Sequence, residues 1–288
     1  MRRWTRARAS HIYGAAIQQP GPMASKKYII VASHRRSGTH LTIDLIRKNF
    51  PQVNPDYVNL DRLLPGHIGY MQTDAFMRKL ELHSGIVVLK THASPKFEEF
   101  SARSDISQAF DRLLDNAYVV YVCRDGRDAL VSLYYYMRSL FPVVRLQKFS
   151  DFLWSEDNFY RMTEWGRGLN RMSLWAQHVT GWSDRADEIA MVQFENLRKD
   201  PKPHLGNIAN AVGLEPPKSI KRVQLPANGF WHDIWAQFRG RQRTDPTAIV
   251  PRLGRPGDWK RHFSSDDLLA FRDQAGYAMQ RLGYSLED

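Results

Sequence analysis

The sequence predicts an α/β fold: a single domain with a central, mainly parallel β-sheet flanked by helices. Three segments predict it. Residues 28–32 (YIIVA), 85–92 (GIVVLKTH) and 117–124 (AYVVYVCR) are short apolar runs rich in β-branched side chains. The first runs straight into the basic loop His34-Arg35-Arg36-Ser37-Gly38, and the other two turn polar or charged at their last residues. Strands covered by helices on both faces read as unbroken apolar runs, and the carboxyl ends of such strands are where open α/β sheets bind ligands.

Along the chain, residues 1–25 carry Arg2, Arg3, Arg6 and Arg8, no acidic residue, and a Gln-Gln-Pro-Gly-Pro run before Met23. They read as a basic N-terminal extension outside the fold, a disordered tail or an over-long start with Met23 as initiator. A targeting segment is the weaker reading, because neither a hydrophobic signal core nor a Ser-rich amphipathic pattern is present. The domain is expected over residues 26–288. After the first strand and its loop, a helix runs to residue 50, where Pro51 and Pro55 end it. Residues 110–116 read as helix before the strand at 117–124. Asp125 is placed to cap the next helix, with Asp128 in the capping-box position, and that helix runs through Tyr134-Tyr135-Tyr136. Residues 188–194 are a fourth strand candidate, and 152–182 is an aromatic, helical region.

Composition narrows the partners. The chain has 288 residues, 43% hydrophobic content and a formal net charge of +11, with a pI near 9.8. It is long enough to bury a large core, and its charge attracts a polyanion: a nucleotide, a sulfated or phosphorylated substrate, nucleic acid or an anionic surface. The lone cysteine, Cys123, excludes an intramolecular disulfide framework and fits a reducing, cytoplasmic setting. Within an apolar run it reads as a small buried core residue. No apolar stretch approaches the ~20 residues of a membrane span, so membrane anchoring by a helix is not expected.

The loop at 34–40 has the build of an anion cradle. The first amides of a helix lack partners inside it, and the helix dipole adds partial positive charge there. Ser37, Gly38 and Thr39 are small enough for the backbone to close on an oxyanion, and Arg35 and Arg36 add full charges. It is not a nucleoside-triphosphate P-loop: the G-x-x-x-x-G-K-[ST] pattern is missing and no lysine follows Gly38.

Four segments in order resemble the signatures of sulfotransferases that use 3'-phosphoadenosine 5'-phosphosulfate (PAPS), in particular the cytosolic-type branch. Arg35-Arg36-Ser37-Gly38-Thr39-His40-Leu41 is similar to P-K-S-G-T-T-W; Lys90-Thr91-His92 matches K-T-H. The segment from Tyr121 to Ser132 is similar to Y-V-x-R-(N/D)-x-x-D-x-x-V-S. Arg252-Leu253-Gly254-Arg255-Pro256-Gly257-Asp258-Trp259-Lys260 is similar to R-K-G-x-x-G-D-W-K. A helical stretch from Trp175 through His178 to Trp182 looks like W-x-x-H-V-x-x-W. The resemblance implies a P-loop-like sulfotransferase fold and PAPS as donor, with 3'-phosphoadenosine 5'-phosphate (PAP) as product. It implies a 5'-phosphosulfate site at Arg35, Arg36, Ser37, Gly38, Thr39 and His40. The 3'-phosphate would be held by Arg124 and Ser132 with Arg252, Leu253 and Gly254, and Phe194 would lie beside the nucleotide.

The chemistry supports those assignments. Sulfuryl transfer needs the acceptor proton removed, charge on the transferring group stabilised and charge on the leaving phosphate neutralised. A neutral imidazole suits the first task, which falls to His92; Lys90 can meet the sulfuryl oxygens, and Arg36 the leaving phosphate. Asp258 and Trp259 read as braces of the late loop. The sequence also departs from the family pattern. Arg36 replaces a lysine, presenting a planar fork in place of a point charge. Leu41 replaces a tryptophan, Phe194 a tyrosine, Leu253 a lysine and His40 a threonine. Arg35 and Arg127 could compensate the lost charge. The intact Lys90-Thr91-His92 favours a hydroxyl over an amine on a small-molecule acceptor, of steroid, phenol, polyketide or guanidinium type. Tyr134, Tyr135, Tyr136, Phe141, Trp154, Phe159, Tyr160, Trp231 and Trp235 could line its pocket or pack a core. No metal, nucleic acid or membrane partner is expected, and a homodimer is admitted. Two other classes stay open: a P-loop-type kinase, disfavoured by the missing lysine, and a basic nucleic-acid-binding protein, for which no groove-binding motif is present.

Overall fold

The first strand, β1 (Tyr28–Ala32), is buried along its whole length, and its side chains alternate between two apolar clusters. Tyr28, Ile30 and Ala32 point into one, Ile29 and Val31 into the other. The computed structural model describes residues 26–64, 67, 69–95, 104–157, 166–223 and 256–287. Within them β1 is the central strand of a five-stranded sheet with β2 (Val53–Asn59), β3 (Ile86–Thr91), β4 (Ala117–Cys123) and β5 (Ala190–Gln193). The order is β2-β3-β1-β4-β5 and every pairing is parallel. Ala32 pairs with Thr91 on one side and Tyr121 on the other, so the chain leaves β1, β3 and β4 at nearly one level. That register puts the loop after Ala32, His92 and Arg124 along one edge of the sheet.

Helices cover both faces. On one, α1 (Thr39–Asn49) contributes Ile43, Leu45 and Ile46. On the other, α2 (Thr73–Glu81), α3 (Ser104–Asp115) and α4 (Gly126–Leu140) contribute Phe76, Phe110 and Leu133 among others. The short α5 (Pro142–Arg145) and α6 (Phe149–Trp154) extend that layer, and α7 (Arg171–Ser183) buries Trp175 and Trp182 completely in it. Two further helices, α8 (Phe194–Lys199) and α9 (Lys202–Val212), return to the first face, and α10 (Ser265–Arg281) packs beside α7. Gly126, the first residue of α4, is required by that packing. A Cβ there would lie 2.7 Å from the Trp175 ring and 2.8 Å from Phe271. Among the described residues no helix is long and apolar enough to cross a membrane.

The predicted strands at 28–32, 85–92 and 117–124 are present, as is the helix that ends before Pro51. Differences have local causes. The edge strand β2 was not expected, because Pro55 sits within it; an edge strand with a register shift between Val53 and Tyr57 tolerates proline. The strand expected over 188–194 is shorter, since Phe194 opens α8. Asp125 does cap α4, accepting from the Arg127 amide at 2.9 Å. Asp128 does not complete a capping box; its carboxylate instead accepts from the amides of Gly257 at 2.7 Å and Trp259 at 3.0 Å.

Candidate active site

The loop between β1 and α1 forms a cradle. Gly38 is the N-cap of α1 at φ 110, and no side chain caps the amides of the first turn. Only glycine adopts that backbone freely, and a Cβ would lie 2.5 Å from the Phe194 ring. Thr39 is held below by Ser33, their hydroxyls 2.5 Å apart. Ser37 is buried, yet its Oγ has no partner among the described residues. A buried hydroxyl and a row of uncapped helix amides fit an oxyanion.

Arg124 from the end of β4, Ser132 and Tyr136 from α4 and Phe194 from α8 close on this loop. Arg124, at the end of β4, donates from Nη1 to the Arg36 carbonyl at 3.3 Å and lies 4.8 Å over the Phe194 ring; its Nε has no partner among the described residues. Arg36 donates from Nε to Ser132 Oγ at 3.1 Å and lies 5.0 Å over the Tyr136 ring. Burial, then repulsion from Arg124 and Arg35 opposed by Tyr136, draws the Arg36 guanidinium down to about 10, so it stays charged near neutrality. The expected meeting of Arg124 and Ser132 therefore occurs through Arg36.

The end of β3 carries the second cluster, organised by a residue that sequence reasoning missed. Asp61, buried in a 3-10 turn after β2, accepts from His92 N at 2.8 Å, from Thr91 Oγ1 at 2.9 Å and from Lys90 Nζ at 3.4 Å. The His92 imidazole donates from Nδ1 to the Ser33 carbonyl at 2.8 Å, which makes Nε2 the proton-accepting nitrogen. His178, from α7, donates from Nε2 to the His92 carbonyl at 3.0 Å and accepts from Tyr121 at 3.0 Å, fixing the same residue from behind. Burial, with the Lys90 charge second, holds the His92 imidazole well below its usual range.

His34 is also held well below its usual range by burial, and His178 is drawn down by burial to about 4. Three imidazoles neutral in the folded state titrate near 6.5 once unfolded, so the unfolded chain binds more protons as the medium becomes acidic. Their contribution is complete above about pH 6.5 and is lost as the pH falls toward the folded values. Urea titrations at pH 7.5 and pH 5.5 are expected to show a lower midpoint at the acidic pH.

The remaining expected site residues take other positions. Arg35 turns to the buried carboxylate of Asp157. The His40 ring lies edge-on to Tyr57, 5.8 Å between centroids, and Leu41 packs against the apolar cluster of α1. Arg127 is bound by Asp125 at 2.8 Å and by the Ser285 carbonyl at 2.9 Å, with its guanidinium 3.8 Å over Trp259, so its charge is committed within the protein. Cys123 is a buried core residue whose thiol burial pushes up to about 12. Arg252, Leu253 and Gly254 lie outside the described residues, as do Phe159, Tyr160, Trp231 and Trp235. The Asp128 bonds to Gly257 and Trp259 bring the end of that late segment to the start of α4. Of the aromatics considered for the acceptor, Tyr134 is buried in the core, Tyr135 stacks edge-on with His262 and Tyr136 faces Arg36, while Phe141 and Trp154 are exposed.

An anion cradle, two guanidiniums at its rim and an oriented imidazole beside a lysine, all at the carboxyl edge of a parallel sheet, define a group-transfer enzyme of the P-loop-like α/β class. A family model described as Sulfotransferase domain matches residues 26–283, and the chain belongs to that family. As a member it is a PAPS-dependent sulfotransferase. Mouse Sulfotransferase 1E1 is 19% identical over 248 residues, covering 82% of this chain and 77% of the relative. The crystal structure of mouse sulfotransferase SULT7A1 complexed with PAP superimposes with a TM-score of 0.56 at 16% identity, over 89% of this chain and 86% of that one. A retinol dehydratase in complex with retinol and PAP gives 0.53 at 18% identity, over 90% and 82%. These likenesses establish a shared fold. The kinase and nucleic-acid readings give way to the family assignment.

Proposed function

We propose that the protein transfers a sulfuryl group from PAPS to a hydroxyl of a small-molecule acceptor, with His92 as general base. The observation that carries this reading is the His92 Nδ1 bond to the Ser33 carbonyl, which dedicates Nε2 to accepting a proton one strand away from the cradle. When bound, PAPS supplies an activated sulfuryl group and leaves as PAP. Ser37, the α1 amides after Gly38 and Arg36 hold the 5' end of the nucleotide, and Lys90 neutralises charge on the transferring group. Thr39 and His40 supply amides to the cradle, and Arg35 supports the same loop from behind. Arg124 and Ser132, with Arg252, Leu253 and Gly254, hold the 3'-phosphate, and Phe194 flanks the nucleotide. The lone buried thiol and the family relatives support a cytoplasmic enzyme acting on diffusible acceptors.

The deciding experiment is a transfer screen from 35S-labelled PAPS to steroid, phenol, polyketide, guanidinium-bearing and amine acceptors. Label is expected on a hydroxylated compound. Transfer only to amines would contradict the hydroxyl reading.

Arg36→Lys is expected to keep PAP binding and to lower turnover by about tenfold or less, because the cation persists while the planar fork is lost. Loss of all PAP binding in calorimetry would assign Arg36 a steric role instead.

A further inference from the structure

We infer that Asp157 is a positioning residue of the transfer site, holding Arg35 inward so that Arg36 and Arg124 are the guanidiniums that meet the donor's anionic groups. This inference rests on the PAPS reading of the cradle. The Asp157 side chain is wholly buried; it accepts from Arg35 Nη2 and lies 3.7 Å from Arg171 Nε. Arg171, the first residue of α7, is itself fixed. Its Nη1 donates to the carbonyls of Phe152 at 2.9 Å and Ser155 at 2.8 Å, and its guanidinium lies 3.9 Å over the Phe152 ring. The carboxylate is thus anchored on the α6–α7 side and reaches across to the residue preceding Arg36.

Two consequences follow for the cradle. Arg36 is the one non-glycine residue at positive φ among those described, at 68°. Such a backbone persists only where its surroundings over-determine it. The Arg35–Asp157 pair on one side and the Arg36–Ser132 bond on the other do so. The second consequence is electrostatic. Arg35 and Arg124 both lie close enough to Arg36 for their positive charge to be felt there as repulsion. A buried negative charge on Arg35 offsets part of this field, which moderates the grip on a highly charged product and permits its release.

The test is calorimetric and kinetic. Asp157→Asn keeps the shape and removes the charge, leaving Arg35 and Arg171 with excess positive charge beside the cradle. Expected are a PAP affinity raised about tenfold, a lower kcat with KM for PAPS lowered, and a thermal midpoint that falls without nucleotide and recovers on adding PAP. A purely structural residue would lower affinity and stability together. Combining Arg35→Gln with Asp157→Asn restores charge balance, and PAP affinity should return to the wild-type value. This double variant also decides the matter if Asp157→Asn does not fold. Unchanged or weaker PAP binding by Asp157→Asn overturns the inference, and so does lost PAP binding by the double variant, which would put Arg35 on the phosphate. Failure of the wild type to bind PAP overturns the PAPS reading, and this inference with it.

Discussion

His92→Ala removes turnover by about 10²–10⁴-fold while leaving PAP affinity unchanged, the range by which a positioned base contributes to proton transfer. The split follows from geometry. The side chain acts through Nε2, whereas the nucleotide is held by the β1–α1 loop, Arg124, Ser132, Phe194 and the segment from Arg252 to Gly254. The pH profile carries a second signature. A base must be unprotonated to act, and burial holds this imidazole well below the ordinary histidine range. The rate should therefore stay level through neutrality and fall only when the pH drops below that range. Steady-state rates and PAP calorimetry on the variant check both parts. Retained turnover would take His92 out of the base role, and a rate that falls already above pH 7 would require a different titrating group.

Asp61→Ala damages both stability and turnover. The carboxylate is the counter-charge of Lys90, and the side chains of this pair are only 4% and 1% exposed. Removing one partner of a buried pair leaves the other without compensation, a cost of about 3–5 kcal/mol. The same carboxylate holds the His92 amide and the Thr91 hydroxyl, so the whole end of β3 loosens with it. Asp61→Asn separates the two effects, because the amide oxygen can still accept from His92 and Thr91 while the charge is gone. Chemical unfolding should place Asp61→Ala well below Asp61→Asn, with turnover lost in the first and partly kept in the second. An Asp61→Ala protein within about 1 kcal/mol of wild type would contradict this account of the β3 end.

The sheet was legible where burial on both faces left continuous apolar runs, as in residues 28–32 and 117–124, and where a run broke into charge at its end, as at Lys90 and Arg124. The edge strand β2 was not, because half-exposed positions and Pro55 erase the pattern that a covered strand shows. Phe194 and Arg36 were legible as departures from a pattern, and their positions explain them: the ring packs on Gly38 and under Arg124, and the guanidinium bridges Ser132 and Tyr136. Asp61 and Asp157 left no comparable mark. Each is an acidic residue outside the main strands and helices, and only the fold brings it to Lys90 or Arg35. An Asn59-x-Asp61 turn, in which Asn59 accepts from the Asp61 amide at 3.1 Å, is readable locally but does not name the partner across the sheet. Arg127 misled for the complementary reason: its charge was countable, whereas its pairing with Asp125 and the Ser285 carbonyl depends on where the C-terminal segment docks.

Calorimetric titration of PAP into the wild-type protein and into Arg124→Ala, at low and at moderate salt, reports directly on the nucleotide site. Saturable one-to-one binding by the wild type, weakened by salt and strongly reduced in Arg124→Ala, is the predicted result. No binding by the wild type at low salt, or equal binding by the two proteins, would contradict a nucleotide site built on the β1–α1 cradle and the end of β4.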